Sequence, residues 1–150
     1  MGKIDGLDLS IIKELQHDGR KSFREIAERL NVAEGTVYNR VTKLRESGVI
    51  RNFLVDVDYS RTGYDLTVVI GVRVKGGHLA QIEERIASEG NVTAVYDVTG
   101  EYDAIVVAKF PDRSALNKLV KKLNAMEDVE RTHTMVVLNV VKEKHGIQLD

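Results

Sequence analysis

A group of polar and basic residues between positions 35 and 51 has the composition of a nucleic-acid contact surface. At about 100° per residue, one face of a helix here collects hydroxyl, amide and ammonium groups around one glycine. These residues are Gly35, Tyr38, Asn39, Thr42 and Lys43, flanked by Thr36 and Arg40. Asn39 could pair with adenine through two hydrogen bonds, while Thr42 or Tyr38 could bond a base edge or a phosphate. Lys43 and Arg40 would neutralise phosphates, so the surface predicts double-stranded DNA as a partner.

The opposing interpretation is an ordinary solvent-exposed helix face, and the neighbouring elements favour DNA. Apolar spacing predicts a first helix over 5–18, capped by Asp5, and a second one that begins at the capping box Ser22-Phe23-Arg24-Glu25. The third runs over 34–46 after a three-residue turn, which is a helix-turn-helix arrangement. Gly35 costs a helix about 1 kcal/mol relative to Ala, a cost explained if another molecule approaches its backbone.

Composition and charge limit the class of protein. The chain has 150 residues, no cysteine and a formal net charge of −1. Disulfide scaffolds, thiolate metal sites and cysteine nucleophiles are excluded, and no apolar run is long enough for a membrane span. We expect a cytoplasmic protein with no membrane partner and no cofactor. Up to Arg51 there are 10 basic and 8 acidic residues, against 12 and 15 afterwards. The part of the chain with the predicted helix-turn-helix is therefore the more basic one.

The second half has a β-α-β-β-α-β pattern. Strands are predicted over 66–75, 92–99, 103–110 and 129–141, with helices before Gly90 and after Pro111. The predicted fold class is α+β: a helix-turn-helix domain (1–50), a linker strand (51–64, with strand character from Val49 to Val57) and a ferredoxin-like βαββαβ sensing domain (65–150). Both helices would cover one sheet face. The other face is apolar without a cover, so we expect a dimer through it.

An enzyme built on the second half is the first alternative. The histidines His17, His78, His133 and His145 are isolated from one another, and no metal spacing, nucleophile–base pair or phosphate-binding glycine pattern occurs. These observations argue against catalysis.

Several separated motifs together resemble the Lrp/AsnC family, the feast/famine transcription regulators of bacteria and archaea, and in particular an archaeal-like member. The resemblance covers about residues 3–144. The matching stretches are Asp5-Gly6-Leu7-Asp8 with Ile11-Ile12, Arg24-Glu25-Ile26-Ala27, Gly35-Thr36-Val37 with Arg40-Val41 and Lys43-Leu44, Glu46-Ser47-Gly48-Val49-Ile50, Thr99-Gly100-Glu101-Tyr102-Asp103, and Val129-Glu130-Arg131-Thr132-His133-Thr134. The resemblance implies a sequence-specific transcription regulator that dimerises through the sensing domain, assembles into octamers or other multiples of dimers, and responds to an amino acid.

The family's effector loop corresponds here to a glycine turn and part of the last strand. The implied effector-binding residues are Thr99, Gly100, Tyr102, Asp103, Thr132 and Thr134. Free turn N–H groups and hydroxyls suit the carboxylate of an amino acid, and Asp103 suits its ammonium group. The alternative is a plain hairpin turn, in which Tyr102 packs and Asp103 caps its own backbone.

The sequence departs from the family pattern at the start of the third helix, where Ala33 replaces the usual Ser. The missing cap costs about 0.5–2 kcal/mol and removes one hydroxyl that could touch phosphate. We therefore expect recognition to depend on Thr36, Asn39 and Arg40, and Arg40→Ala to flatten the salt dependence of DNA binding by about one unit. The second alternative function is a DNA-organising protein that uses the same helix without any small-molecule effector.

Overall fold

The computed structural model describes residues 4–144, 146–147 and 149, so that His145 lies outside the described residues. The chain divides into two compact units. The first comprises the chain up to Asp56 together with the residues from Lys142 onward, and the second is Val57–Val141. This boundary lies within the segment assigned above to a linker. In this division the described residues after 141 group with the first unit.

The first unit contains α1 (Gly6–His17), α2 (Phe23–Leu30) and α3 (Glu34–Glu46). Reciprocal capping boxes begin α1, between Asp5 and Asp8, and α2, between Ser22 and Glu25. Asn31 ends α2 in the left-handed conformation at φ 53°. Local cap chemistry therefore fixes the ends of α1 and α2 close to the predicted positions.

The three helices enclose a small core to which each of them contributes. Its buried members are Ile11, Leu15, Ile26, Ala27, Val37 and Val41. Because α3 turns Val37 and Val41 into this core, the opposite side of the same helix must face outward.

The strand predicted from Val49 to Val57 is not formed, since residues 49–58 contain neither helix nor strand. Apolar side chains remain in solvent there, with Leu54 and Val55 each 84% exposed. A β-strand needs a neighbouring backbone to bond its N–H and C=O groups, and the sheet of the second unit includes no strand from this segment. The alternating pattern indicates a segment that favours the β-strand conformation, but no described strand of the same chain pairs with it.

The second unit has the predicted β-α-β-β-α-β order, preceded by a short 3-10 helix at Tyr59–Thr62. Its elements are β1 (Leu66–Val74), α4 (Leu79–Ala87), β2 (Val92–Asp97), β3 (Ala104–Phe110), α5 (Arg113–Asn124) and β4 (Val129–Val136). The four strands form an antiparallel sheet in the order β2-β3-β1-β4. The last strand ends at Val136, five residues before the predicted end at Val141.

The two faces of the sheet differ in cover. The face toward α4 and α5 is the core, with Val68, Ile70, Val106 and Phe110 at most 1% exposed. The register puts Val69 opposite Val107 and Met135 on the other face, which is called the open face here. No helix in the described part of the chain is long and apolar enough to cross a membrane.

Candidate DNA-contacting helix and effector loop

Helix α3 presents the predicted DNA-contacting side chains because its apolar residues are buried on the other side. Val37, Val41 and Leu44 are at most 4% exposed. The predicted residues divide by exposure: Gly35, Tyr38, Asn39 and Lys43 are exposed, whereas Thr36, Arg40 and Thr42 are half-buried. The structure thus brings the seven residues to one helix, although not all of them are free to contact another molecule.

Tyr38 is 58% exposed but is supported from α2. Its ring meets that of Phe23 edge to face, with ring centres 6.2 Å apart and an angle of 66° between the planes. Such aromatic pairs are favourable in this geometry. Phe23 therefore restrains the direction of Tyr38 and leaves its hydroxyl in solvent.

The remaining polar groups of the face differ in how many hydrogen-bond donors and acceptors are still available to a partner. The Thr42 hydroxyl donates to the Tyr38 carbonyl at 2.9 Å, so it can still accept a hydrogen bond but its proton is used. Within the described residues, no hydrogen bond or ion pair engages the Asn39 amide or the Lys43 ammonium group. Asn39 and Lys43 are the groups best placed to bind a partner.

Arg40, which the sequence predicts as a phosphate contact, is also engaged inside the domain. Its Nη1 atom donates to Asp5 Oδ2 at 2.5 Å and to Asp8 Oδ1 at 3.2 Å. The Asp8 side chain is only 9% exposed, so Arg40 compensates a carboxylate that is largely removed from water. The pairing connects α3 to the start of α1 and uses the Nη1 group of Arg40, whose side chain is 35% exposed.

Asp5 and Arg40 of this cluster shift each other's pKa in the direction that favours their charged forms. The backbone N–H of Asp8, and after it the Arg40 guanidinium, lower the pKa of Asp5. Hydrogen bonds to Asp5 and Asp8 raise the pKa of Arg40. The sequence predicts Asp5 as the cap of the first helix and Asp8 as an acidic residue of its first turn. The available signal was two carboxylates in one helical turn, but nothing in the spacing pointed to a partner 32 residues away.

The first turn of α3 is open to approach by another molecule. Ala33 at the N-cap makes no side-chain cap hydrogen bond, because its methyl group has no acceptor atom. A Cβ atom added to Gly35 would meet nothing within 4 Å, so packing inside the chain does not require a glycine there. The absence of a side chain at Gly35 leaves bare backbone on the exposed face.

The predicted effector loop is attached to strand β1. The Asp103 carboxylate accepts from the Val74 N–H at 2.8 Å through Oδ2, and the Asp103 N–H donates to Val72 at 3.0 Å. Asp103 thus bonds a neighbouring strand instead of capping its own turn. Gly100 has a positive φ of 125°, a conformation that favours glycine. The backbone N–H groups of residues 99–102 donate no hydrogen bond within the described part of the chain.

Tyr102 and the two predicted threonines lie on different faces of the sheet. The Tyr102 ring covers Gly71 on the open face and stacks on His133, with ring centres 6.1 Å apart. Thr132 and Thr134 alternate with His133 and pair with the core-facing Val72 and Ile70. Thr132 also donates to Asn124 of α5 at 2.8 Å. The structure therefore separates Thr132 and Thr134 from Tyr102, and sequence reasoning missed Gly71 and His133 because only the strand register reveals them.

Comparison with known proteins agrees with both units. Residues 4–45 match the AsnC-type helix-turn-helix domain, and residues 67–147 match the Lrp/AsnC ligand binding domain. An uncharacterized HTH-type transcriptional regulator of Pyrococcus horikoshii is 51% identical over 146 residues, which are 97% of this chain and 99% of that protein.

Solved structures show the same arrangement of elements. AsnC of E. coli superposes with a TM-score of 0.86 at 27% identity, covering 95% of this chain and 97% of its own. The NMB0573/L-Met complex of Neisseria meningitidis, at 22% identity, shares the fold with a TM-score of 0.87, covering 99% of this chain and 98% of that one. The family and the relatives are transcriptional regulators, which excludes the enzyme alternative. The chain belongs to the Lrp/AsnC family: it is a transcriptional regulator with an AsnC-type helix-turn-helix DNA-binding domain and an Lrp/AsnC ligand-binding domain.

Proposed function

We propose that this regulator recognises specific duplex DNA sequences with the exposed face of α3. The observation that carries the proposal is the unengaged pair Asn39 and Lys43 beside the supported Tyr38. Asn39 reads a base edge, most suitably adenine, and Lys43 contacts phosphate. Gly35, Thr36 and Thr42 complete the contact surface, while Arg40 holds the helix from behind.

DNA-binding measurements test this proposal. They compare the upstream region of the regulator's own gene with unrelated DNA of equal length. Asn39→Ala should reduce the preference for the specific site by about 1–3 kcal/mol, because a bidentate base contact is lost. Binding to unrelated DNA should change little. Equal affinity of the unaltered protein for both DNAs would instead support the DNA-organising alternative.

We further propose that an amino acid binds at the loop of residues 99–103. In the part of the chain that the structure describes, the backbone N–H groups of residues 99–102 donate no hydrogen bond, and Gly100 of this turn has no side chain, which suits a carboxylate. Asp103 uses Oδ2 for Val74 and retains Oδ1 for an ammonium group. The L-Met complex of the Neisseria neighbour supports this class of ligand. Thr132 and Thr134 do not share the face of Tyr102, so they contribute only from the other side of the strand.

Thermal-shift measurements against each proteinogenic amino acid test the effector proposal. A ligand that binds only the folded state raises the midpoint, and the stabilisation grows with the logarithm of its concentration over its Kd. Asp103→Asn should abolish the shift for the responding amino acid. Glu101→Gln is the matched change in the same loop, because the Glu101 side chain has no part in the proposed contact. No shift with any amino acid would contradict the proposal.

The open face is the proposed dimer interface. Its centre carries Val69, Ile105 and Val107, which are half-buried in the single chain, with Tyr96 and Met135 more exposed. A stable interface of ordinary size buries roughly 800 Å² per partner, which a four-stranded sheet face can supply. Higher multiples of the dimer, including an octamer, remain part of this proposal, and light scattering with and without the responding amino acid tests them.

A further inference from the structure

Helix α5 concentrates positive charge in a unit that is otherwise acidic. Of the ten basic residues in the second unit, the helix contains four, and it contains none of the unit's twelve acidic residues. The four are Arg113, Lys118, Lys121 and Lys122. Helices on protein surfaces commonly pair such cations with acids three or four positions away, and α5 has no such partner within its own length.

The exposed side of α5 has a definite composition. Leu116, Leu119 and Leu123 turn into the core, which leaves the opposite side in solvent. That side, called the α5 basic face here, consists of Arg113, Ser114, Asn117, Lys118 and Lys121, all exposed. Among the described residues, no ion pair engages Arg113, Lys118 or Lys121, whereas Lys122 pairs with Glu89. Cations with neighbouring hydroxyl and amide groups are the side chains that contact phosphates in protein–DNA complexes.

We propose that the α5 basic face binds the phosphate backbone of DNA, outside the segment that α3 reads. This proposal rests on DNA binding by α3. The face of α3 that carries Asn39 offers few positive charges for phosphate contacts. Arg40 pairs with Asp5 and Asp8, and Lys43 is the unpaired cation on that face. Each additional neutralised phosphate releases condensed counterions and adds to affinity at low salt.

A second copy of the chain is the competing occupant, and the charges of this unit argue against it. An acidic surface that matched the α5 basic face would need free carboxylates in a group. Two carboxylates of the unit are already paired with cations: Glu89 with Lys122 and Glu101 with Arg131. On α4, Glu83 is half-buried and Glu84 is followed directly by Arg85. DNA offers a regular array of negative charge along its backbone.

The test measures the salt dependence of binding by the full chain to a short and a long DNA. The short duplex spans about two helical turns around the specific site, enough for α3 of a dimer. The long DNA contains the same site within about 150 bp. The variant Lys118→Gln/Lys121→Gln removes two unpaired cations from α5. Its matched control, Arg61→Gln/Arg85→Gln, removes two exposed cations elsewhere in the same unit.

The α5 variant should reduce the slope of log K against log salt on long DNA by about two units per protomer. Its slope on the short duplex, and both slopes of the control, should stay unchanged. An unchanged slope on long DNA, or an equal decrease in the control, overturns the proposal. A change of particle size without DNA would assign the face to a second copy instead. If the unaltered protein fails to bind the short duplex, the proposal that α3 binds DNA is contradicted. If it binds the short duplex and the α5 variant leaves the slope on long DNA unchanged, only the α5 proposal is contradicted.

Discussion

Arg40 of α3 donates a hydrogen bond from Nη1 to Oδ1 of Asp8 at 3.2 Å, which ties the DNA-contacting helix to the first turn of α1. The same Asp8 accepts from the Asp5 N–H at 3.0 Å, so one carboxylate both caps α1 and holds α3. Asp8 is nearly buried, and this guanidinium is the cation that pairs with it. This cation at the flank of the predicted DNA surface therefore serves the fold of the domain.

Arg40→Ala should lower the thermal midpoint and leave the salt slope of DNA binding unchanged. The substitution leaves the Asp8 carboxylate without its charged partner, while no phosphate contact is lost. Lys43→Ala is the matched control with the opposite expectation: an unchanged midpoint and a slope reduced by about 0.9. The measurements are thermal unfolding and DNA titrations over a range of salt concentrations. A slope that falls in Arg40→Ala as much as in Lys43→Ala would return Arg40 to the phosphate contacts.

The role of Arg40 shows where reasoning from sequence stops. The helix ends were predictable because a cap depends on residues three positions apart, as in Ser22 and Glu25. The order of elements was predictable because apolar periods of two and 3.6 residues differ. The Arg40–Asp8 pair joins residues 32 apart in sequence, and no local rule determines which distant charge a side chain will meet.

The predicted strand at 49–57 and the predicted effector-binding residues also depend on contacts between distant parts of the chain, which local sequence rules do not determine. The first required a partner strand that the chain does not supply to itself. The second grouped Tyr102 with Thr132 and Thr134, although a strand alternates its side chains between two faces. Only the pairing of β4 with β1 establishes that His133, and not its two neighbours, shares a face with Tyr102.

Gly71→Ala should destabilise the protein by about 1–3 kcal/mol through overpacking. A Cβ at this position would lie 2.7 Å from Cγ of Tyr102, the ring atom nearest the backbone, so the whole ring must move. Gly76→Ala is the control, because nothing lies within 4 Å of its added Cβ. Chemical unfolding of both variants measures the difference.

A double-mutant cycle separates the clash from other effects of the substitution. With Tyr102 shortened to Ala, Gly71→Ala should cost much less than in the unaltered protein, since the blocking ring is absent. If the cost at Gly71 is the same with and without the ring, the clash with Tyr102 is not its cause.

Ala33→Ser should stabilise the first unit by about 0.5–2 kcal/mol. Ala33 already has the extended backbone of an N-cap residue, at φ −71° and ψ 145°, and lacks only the side-chain acceptor. The reverse change, Ser22→Ala, removes the hydroxyl that accepts from the Glu25 N–H at 3.2 Å and should cost a similar amount. Urea unfolding midpoints measure both effects. A stabilisation absent in Ala33→Ser but a loss present in Ser22→Ala would show that another group already satisfies the N-terminus of α3.

Glu83→Gln should raise stability at neutral pH, and the gain should vanish in acid. Burial, and after it the negative charge of Asp97, raises the pKa of Glu83 above its usual 4.5. Within the described residues its Oε1 atom is buried without a hydrogen-bond partner. The ionised carboxylate therefore opposes folding at neutral pH. This penalty is relieved as pH falls through the raised pKa, and below 4.5 the group is protonated in both the folded and the unfolded state.

Thermal or urea unfolding of the unaltered protein and the Glu83→Gln variant between about pH 4 and pH 7 measures the gain, within the range where carboxylates titrate. Glu84→Gln is the matched control, since it removes the same formal charge from the exposed neighbouring position. A gain of equal size in both variants would attribute the effect to the net charge of the chain. A gain specific to Glu83 that disappears toward pH 4 would locate it in the buried carboxylate, because only the environment of that group differs between the two substitutions.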